Sequence, residues 1–103
     1  MKEVVAVNRL ALWKHPHCIV PDGTTRISAD AFNSCTTLET IQFPDTVTKI
    51  GNHAFSNCFS LQCVILPDTV TEIGYDAFGD CSKLQFVKLP NGIQEIGDHA
   101  FSN

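Results

Sequence analysis

Residues 58–80 read CFSLQCVILPDTVTEIGYDAFGD, and the pattern recurs 23 residues away in both directions. Pro21, Pro44, Pro67 and Pro90 stand at that step, as do Ile27, Ile50, Ile73 and Ile96. Ala31-Phe32, Ala54-Phe55, Ala77-Phe78 and Ala100-Phe101 keep the same phase, with Cys35, Cys58, Cys81 and Leu38, Leu61, Leu84. A fixed period of this length marks a solenoid, in which each unit buries its apolar side against its neighbours. Within the unit, Cys63 to Leu66 predicts a short strand with Val64 and Leu66 inward. Pro67 cannot donate to a sheet ladder and ends it. Asp68 and Thr69 turn the chain through side chain to backbone bonds. Val70 and Ile73 return to the core from an extended segment or second strand. Ala77 and Phe78 then follow on a tight turn, a single helical or 3₁₀ turn.

Like therefore stacks on like. Phe32, Phe55, Phe78 and Phe101 form one aromatic column, and Val47, Val70 and Ile93 another. Each buried apolar side chain contributes about 1.5–3 kcal/mol before ordering entropy is subtracted. The apolar area is shared between turns, so a single repeat is not expected to fold alone.

The unit C-x-x-L-x-x-I/V-x-L-P-x-x-V-x-x-I-G-x-x-A-F resembles the leucine-rich repeat subclass of BspA-like proteins, over Ile19 to Asn103. Ser28 stands in place of the Gly, Thr24 in place of the apolar residue after Pro21, and Phe43 in place of Leu. The resemblance implies a solenoid with a parallel sheet on its concave side. It also implies interaction or adhesion roles, with no catalytic residues to carry over. The expected fold is thus a leucine-rich-repeat-like solenoid, mainly β, with short parallel strands, tight turns and short 3₁₀ or helical segments. It forms one domain over residues 1–103. Residues 1–18 are a degenerate capping turn, with Trp13 over the core end, and about three and a half repeats occupy 19–103, the last incomplete.

Charged residues make up 17% and hydrophobic ones 44% of the chain, which suits an ordered core. A net charge of −4 and seven scattered Lys and Arg residues argue against a nucleic-acid partner or an anionic membrane surface. No apolar run approaches the ~18 residues of a membrane span. No convincing signal peptide is apparent. The chain as given reads as intracellular, or as a surface protein whose targeting segment lies elsewhere. Its five cysteines are an odd number. Cys35, Cys58 and Cys81 share one repeat position, recur in phase with buried residues, and read as a reduced packing column. Metal-ligand spacing such as CxxC is absent.

Candidate chemistry is sparse. The position before Ala-Phe alternates Asp30, His53, Asp76 and His99. Two turns separate the histidines by ~10 Å, too far for joint ligation, so the row reads as hydrogen-bonded surface. Asp22, Asp45 and Asp68 follow the prolines, with Asn91 at the fourth site, and read as turn formers rather than calcium ligands. No catalytic triad, carboxylate pair or phosphate loop is evident; neither enzyme activity, metal nor cofactor is expected.

The outward strand positions are more informative because they do not repeat. One column is His17, Thr40, Cys63, Phe86; the next is Ile19, Gln42, Ile65, Lys88. Positions released from the core pattern are where a solenoid can encode a partner. Cys63, Ile65 and Phe86 predict an apolar patch there. At the far end, Leu89, Ile96 and Phe101 have no successor turn and are expected to meet solvent, a second copy or a neighbouring subunit. The expected function is a protein-interaction or scaffold module within a larger protein or assembly. The alternative is a fragment of a surface adhesin that binds a host protein or glycan.

Overall fold

The computed structural model describes Lys2–Val4 and residues 16–102. Among these, nine short strands appear: β1 Lys2–Val4, β2 His17–Ile19, β3 Thr24–Ile27, β4 Thr40–Gln42, β5 Lys49–Ile50, β6 Cys63–Ile65, β7 Glu72–Ile73, β8 Phe86–Lys88 and β9 Glu95–Ile96. The even strands form one parallel sheet, β2-β4-β6-β8, and the odd strands another, β1-β3-β5-β7-β9. Each strand therefore pairs with its equivalent one repeat away, never with its chain neighbour. The register follows the sequence period: Thr40 opposes Cys63, and Cys63 opposes Phe86. On the other sheet Ile27 opposes Ile50, and Ile50 opposes Ile73. Val4 opposes Ile27, with a register shift between Lys2 and Glu3. The expectation for Trp13 lies outside the described residues.

The core lies between the sheets. Ile41 and Val64 point inward from one, Ile27, Ile50 and Ile73 from the other, all buried. Each proline turn is closed by a backbone bond, as in Val70 N–H to Pro67 O at 3.1 Å. Threonine hydroxyls bind adjacent turns: Thr46 donates to Thr24 O and Thr69 to Val47 O, both at 2.7 Å. Thr24, at a position otherwise apolar, is also buried, and its hydroxyl is satisfied by Pro21 O at 2.8 Å. That bond removes the penalty of an unpaired buried hydroxyl.

The third side of each turn carries Ala-Phe, and here the expected helical or 3₁₀ segment gives way to single turns. The residue before each Ala-Phe pair lies in the left-handed region: Asp30 at φ 62°, His53 at 58°, Asp76 at 55° and His99 at 59°. One such residue halts a right-handed helix. The phenylalanine N–H then looks along the solenoid rather than along its own turn. Phe32 donates to Ala54 O, Phe55 to Ala77 O and Phe78 to Ala100 O, each at 2.7 Å. The third side is thus a hydrogen-bonded ladder in its own right, although it has no strand geometry.

The aromatic column forms as the period predicts. Ring centroids lie 4.9 Å apart for Phe32 and Phe55, 5.0 Å for Phe55 and Phe78, and 5.2 Å for Phe78 and Phe101, with planes within 5°. These separations match the ~4.8 Å spacing of paired strands, so the backbone ladders set the stack. Phe43 meets Phe55 edge-on at 5.9 Å. The cysteine column at Cys35, Cys58 and Cys81 is buried and carries no disulfide. Cys58 Sγ donates to Phe32 O and Cys81 Sγ to Phe55 O, both at 3.2 Å. Each thiol thus satisfies a carbonyl in the preceding turn as well as filling space.

Candidate functional site

Strand alternation decides which side chains leave the core. On the even-numbered sheet, Ile41 and Val64 are inward and buried, with Cys18 packed partly against the core. The flanking positions face away. Register pairs His17 with Thr40, Thr40 with Cys63 and Cys63 with Phe86, while Ile19 pairs with Gln42 and Ile65 with Lys88. The two columns read from the sequence therefore exist side by side. Ile19 is 74% exposed, Ile65 54% and Phe86 53%, whereas Cys63 is half-buried.

These residues do not contribute equally to one site. An open groove of about 550 Å³ gathers His17, Ile19, Thr40, Gln42, Cys63 and Ile65, leaving Phe86 and Lys88 beyond it. Cys18, Ile41, Phe43, Asp45 and Pro67 complete the lining. Asp45 was read from the sequence only as a turn former, yet it gives the groove a carboxylate. No sequence signal separated it from Asp22 and Asp68. His17 Nδ1 lies 2.7 Å from Thr40 Oγ1, which fixes the imidazole at one end. Most of the lining is apolar, and Asp45 is its one carboxylate. Burial, with Cys35 nearby, raises the Cys18 thiol above its ordinary range and keeps it protonated at neutral pH.

The far end forms a second hollow of about 300 Å³, lined by Phe78, Cys81, Leu84, Gln85, Val87, Leu89 and Phe101. Leu89 and Phe101 meet there, and Ile96 is exposed elsewhere on that end. Phe101 is 36% exposed, although its ring stacks on the fully buried Phe78. Burial pushes the Cys81 thiol up to about 11, so it stays protonated at neutral pH.

His53, Ser56 and Asp76 do come together, and their arrangement matters because the residue types are those of a hydrolytic triad. Asp76 Oδ2 lies 3.1 Å from His53 Nδ1, and Ser56 Oγ lies 3.3 Å from that same nitrogen. A relay needs the acid on one ring nitrogen and the nucleophile on the other. Ser56 is buried and donates to Asp76 O at 2.6 Å. The cluster therefore clasps adjacent turns. Tyr75 extends it, edge-on to His53 at 5.2 Å and to His99 at 6.0 Å. Among the described residues no group of three or more His, Cys, Asp or Glu side chains is placed to hold a metal ion. No helix among them is long and apolar enough to cross a membrane.

The repeat and the fold have counterparts in known proteins. Residues 13–103 match the family model described as BspA type leucine rich repeat region (6 copies). The chain belongs to the BspA-type leucine-rich repeat family. Among solved structures it is similar to a leucine-rich repeat protein from Bacteroides ovatus, with 31% identity and a TM-score of 0.72 over 78% of this chain and 23% of that one. It is also similar to a leucine-rich repeat protein from T. pallidum, with 30% identity and a TM-score of 0.71 over 86% of this chain and 55% of that one. A leucine-rich cell surface protein from Faecalibacterium prausnitzii shares the fold at 24% identity and a TM-score of 0.58, over 99% of this chain and 34% of that one. No curated protein matches. The BspA-type chain thus spans between about a quarter and just over half the length of these structures. Repeats of this family are generally protein-interaction modules.

Proposed function

We propose that this BspA-type chain is a protein-binding module whose recognition surface is the outward face of the β2-β4-β6-β8 sheet. The observation that carries this reading is the contrast on single strands. Inward residues repeat, with Ile41 and Val64 fully in the core, while outward residues vary from turn to turn and six of them gather over a mostly apolar groove. Ile19 and Ile65 at its rim, with Phe86 beyond, offer apolar contact, and His17, Gln42 and Asp45 offer polar selectivity. A mostly apolar cleft with few polar groups suits a side chain of a protein partner. The exposed Leu89, Ile96 and Phe101 extend the same reading to the far end, as a surface for a neighbouring subunit or a second copy.

A displayed peptide library panned against the folded chain tests the reading. Binders should lose at least about tenfold in affinity, ~1.4 kcal/mol, on Ile65→Asp and keep it on Tyr75→Ala, which lies on another side. Binders insensitive to Ile65→Asp and Ile19→Asp would place recognition elsewhere. The adhesin alternative predicts binding to extracellular host proteins or immobilised glycans through these same residues, and loss on the same variants.

A further inference from the structure

We propose that Asn91-Gly92, in the turn between β8 and β9, is a site of spontaneous covalent modification in which Asn91 cyclises onto the Gly92 amide and leaves aspartate or isoaspartate. The reaction needs a side-chain amide free to rotate, a following N–H free to attack, and little bulk on the following residue. All three meet here. Both residues are exposed. Among the described residues, the Gly92 N–H has no hydrogen-bond acceptor and the Asn91 side chain has no partner. A Cβ built on Gly92 would meet nothing within 4 Å, so the surroundings are open.

The other described asparagines are held differently. Asn33 donates its amide to Asp30 Oδ1 and accepts from Ser34 Oγ, both at 2.8 Å. The following Ser34 N–H is engaged by Ser56 O at 2.8 Å. Asn52 Oδ1 accepts the Tyr75 N–H at 2.8 Å, and the following His53 N–H is engaged by Tyr75 O at 2.9 Å. Asn57 is followed by the buried Cys58. The turn at Asn91 is also the most loosely closed of its kind. Ile93 N–H reaches Pro90 O at 3.4 Å, against 3.1–3.3 Å in the three equivalent turns. The Asn91 N–H reaches Asp68 Oδ1 at 3.4 Å.

The chemistry balances with water alone. The Gly92 nitrogen bonds to the Asn91 side-chain carbonyl carbon and gives up its proton. The carbon–nitrogen bond of the side-chain amide breaks, and ammonia leaves. Water opens the succinimide at either carbonyl. One product is aspartate, the residue type that Asp22, Asp45 and Asp68 already place at this position. The other routes the main chain through the side chain and lengthens the connection from β8 to β9 by one carbon. It thereby breaks the 23-residue step that sets the register of the last turn.

The test follows the intact folded chain during incubation at neutral pH and physiological temperature. Cleavage after Lys88 releases the peptide beginning at Leu89, and mass spectrometry reads amide-to-acid conversion at position 91. Conversion is expected there as an aspartate and isoaspartate pair, ahead of Asn33, Asn52 and Asn57. Gly92→Ala, which the open surroundings accommodate, should slow conversion by about tenfold with an unchanged melting temperature. Conversion at Asn33 or Asn52 ahead of Asn91, or a folded-state rate at Asn91 about tenfold below that of the urea-denatured chain, would overturn the proposal. Either result would mean that the turn protects the amide.

Discussion

Phe78 sits between two rings at 5.0 and 5.2 Å and is fully buried, whereas Phe101 has a ring on one side alone among the described residues. Truncation should separate the two. Phe78→Ala is expected to cost ~3–5 kcal/mol, and Phe101→Ala clearly less, read by urea denaturation. The thiols offer a second comparison. Half-buried Cys63 should react with a thiol reagent in the native state before Cys58 and Cys81, whose hydrogens are committed to Phe32 O and Phe55 O. Burial raises Cys81 from 9.0 to about 11, so the folded chain keeps a proton that the unfolded chain releases over that interval. Its contribution to stability is complete below pH 9 and is lost as pH climbs through about 11. Melting temperatures across that range, compared with Cys81→Ala, check the sign. The phenylalanine and cysteine columns were legible because identical residues recur at one phase. The left-handed residues were not read, although the signal was present. Asp, His and Asn tolerate positive φ better than most side chains, and the Asp-His alternation before Ala-Phe is a row of such residues. Four positions later Ser34, Asn57 and Asp80 repeat the requirement, at 64°, 61° and 57°.

Elements here are only two to four residues long, and each is stable through its equivalents one turn away. What permits the close stacking is visible at Gly74, where a Cβ would come within 2.5–2.7 Å of Asn52 and of the Gly51 backbone. Gly74→Ala must push two turns apart and should lower stability by about 1–3 kcal/mol, whereas Gly92→Ala should be silent in the same assay. The strands before the prolines were legible from alternating apolar residues, Val-x-Leu before Pro67 and Pro90 and Ile-x-Phe before Pro44. The second sheet was half legible, as an extended segment or a short second strand, because two-residue strands such as Lys49–Ile50 are too short to show alternation. The tight turns of the third side were legible, but not whether they close as a single helical or 3₁₀ turn, because Ala-Phe within a compact segment has no periodicity that distinguishes a helix from successive turns. The groove was legible as two columns, but its extent was not: Asp45 and Phe43 enter it from beyond the strand, and Phe86 falls outside.

At the scale of the whole molecule, stability is a sum over interfaces between turns, with no large element to dominate it. In the isolated 103-residue polypeptide, interior variants should therefore act cooperatively, while the turn around residues 97–102 opens first. Hydrogen exchange at Gly97 and Ala100 is expected to outpace that at Gly51 and Ala54, whose equivalent N–H bonds are of similar length, 2.7 and 3.3 Å against 2.8 and 3.2 Å. Equal exchange would show that bond geometry, and not position in the stack, sets local stability. The direction of those bonds has a mechanical corollary. Both sheets and the phenylalanine ladder run their bonds along the stacking direction, so tension applied along it loads the interfaces in series, and the weakest yields alone. Each turn released would pay out about 70–80 Å of chain while its neighbours hold. A tether built this way lengthens in steps under load and can recover turn by turn when the load falls.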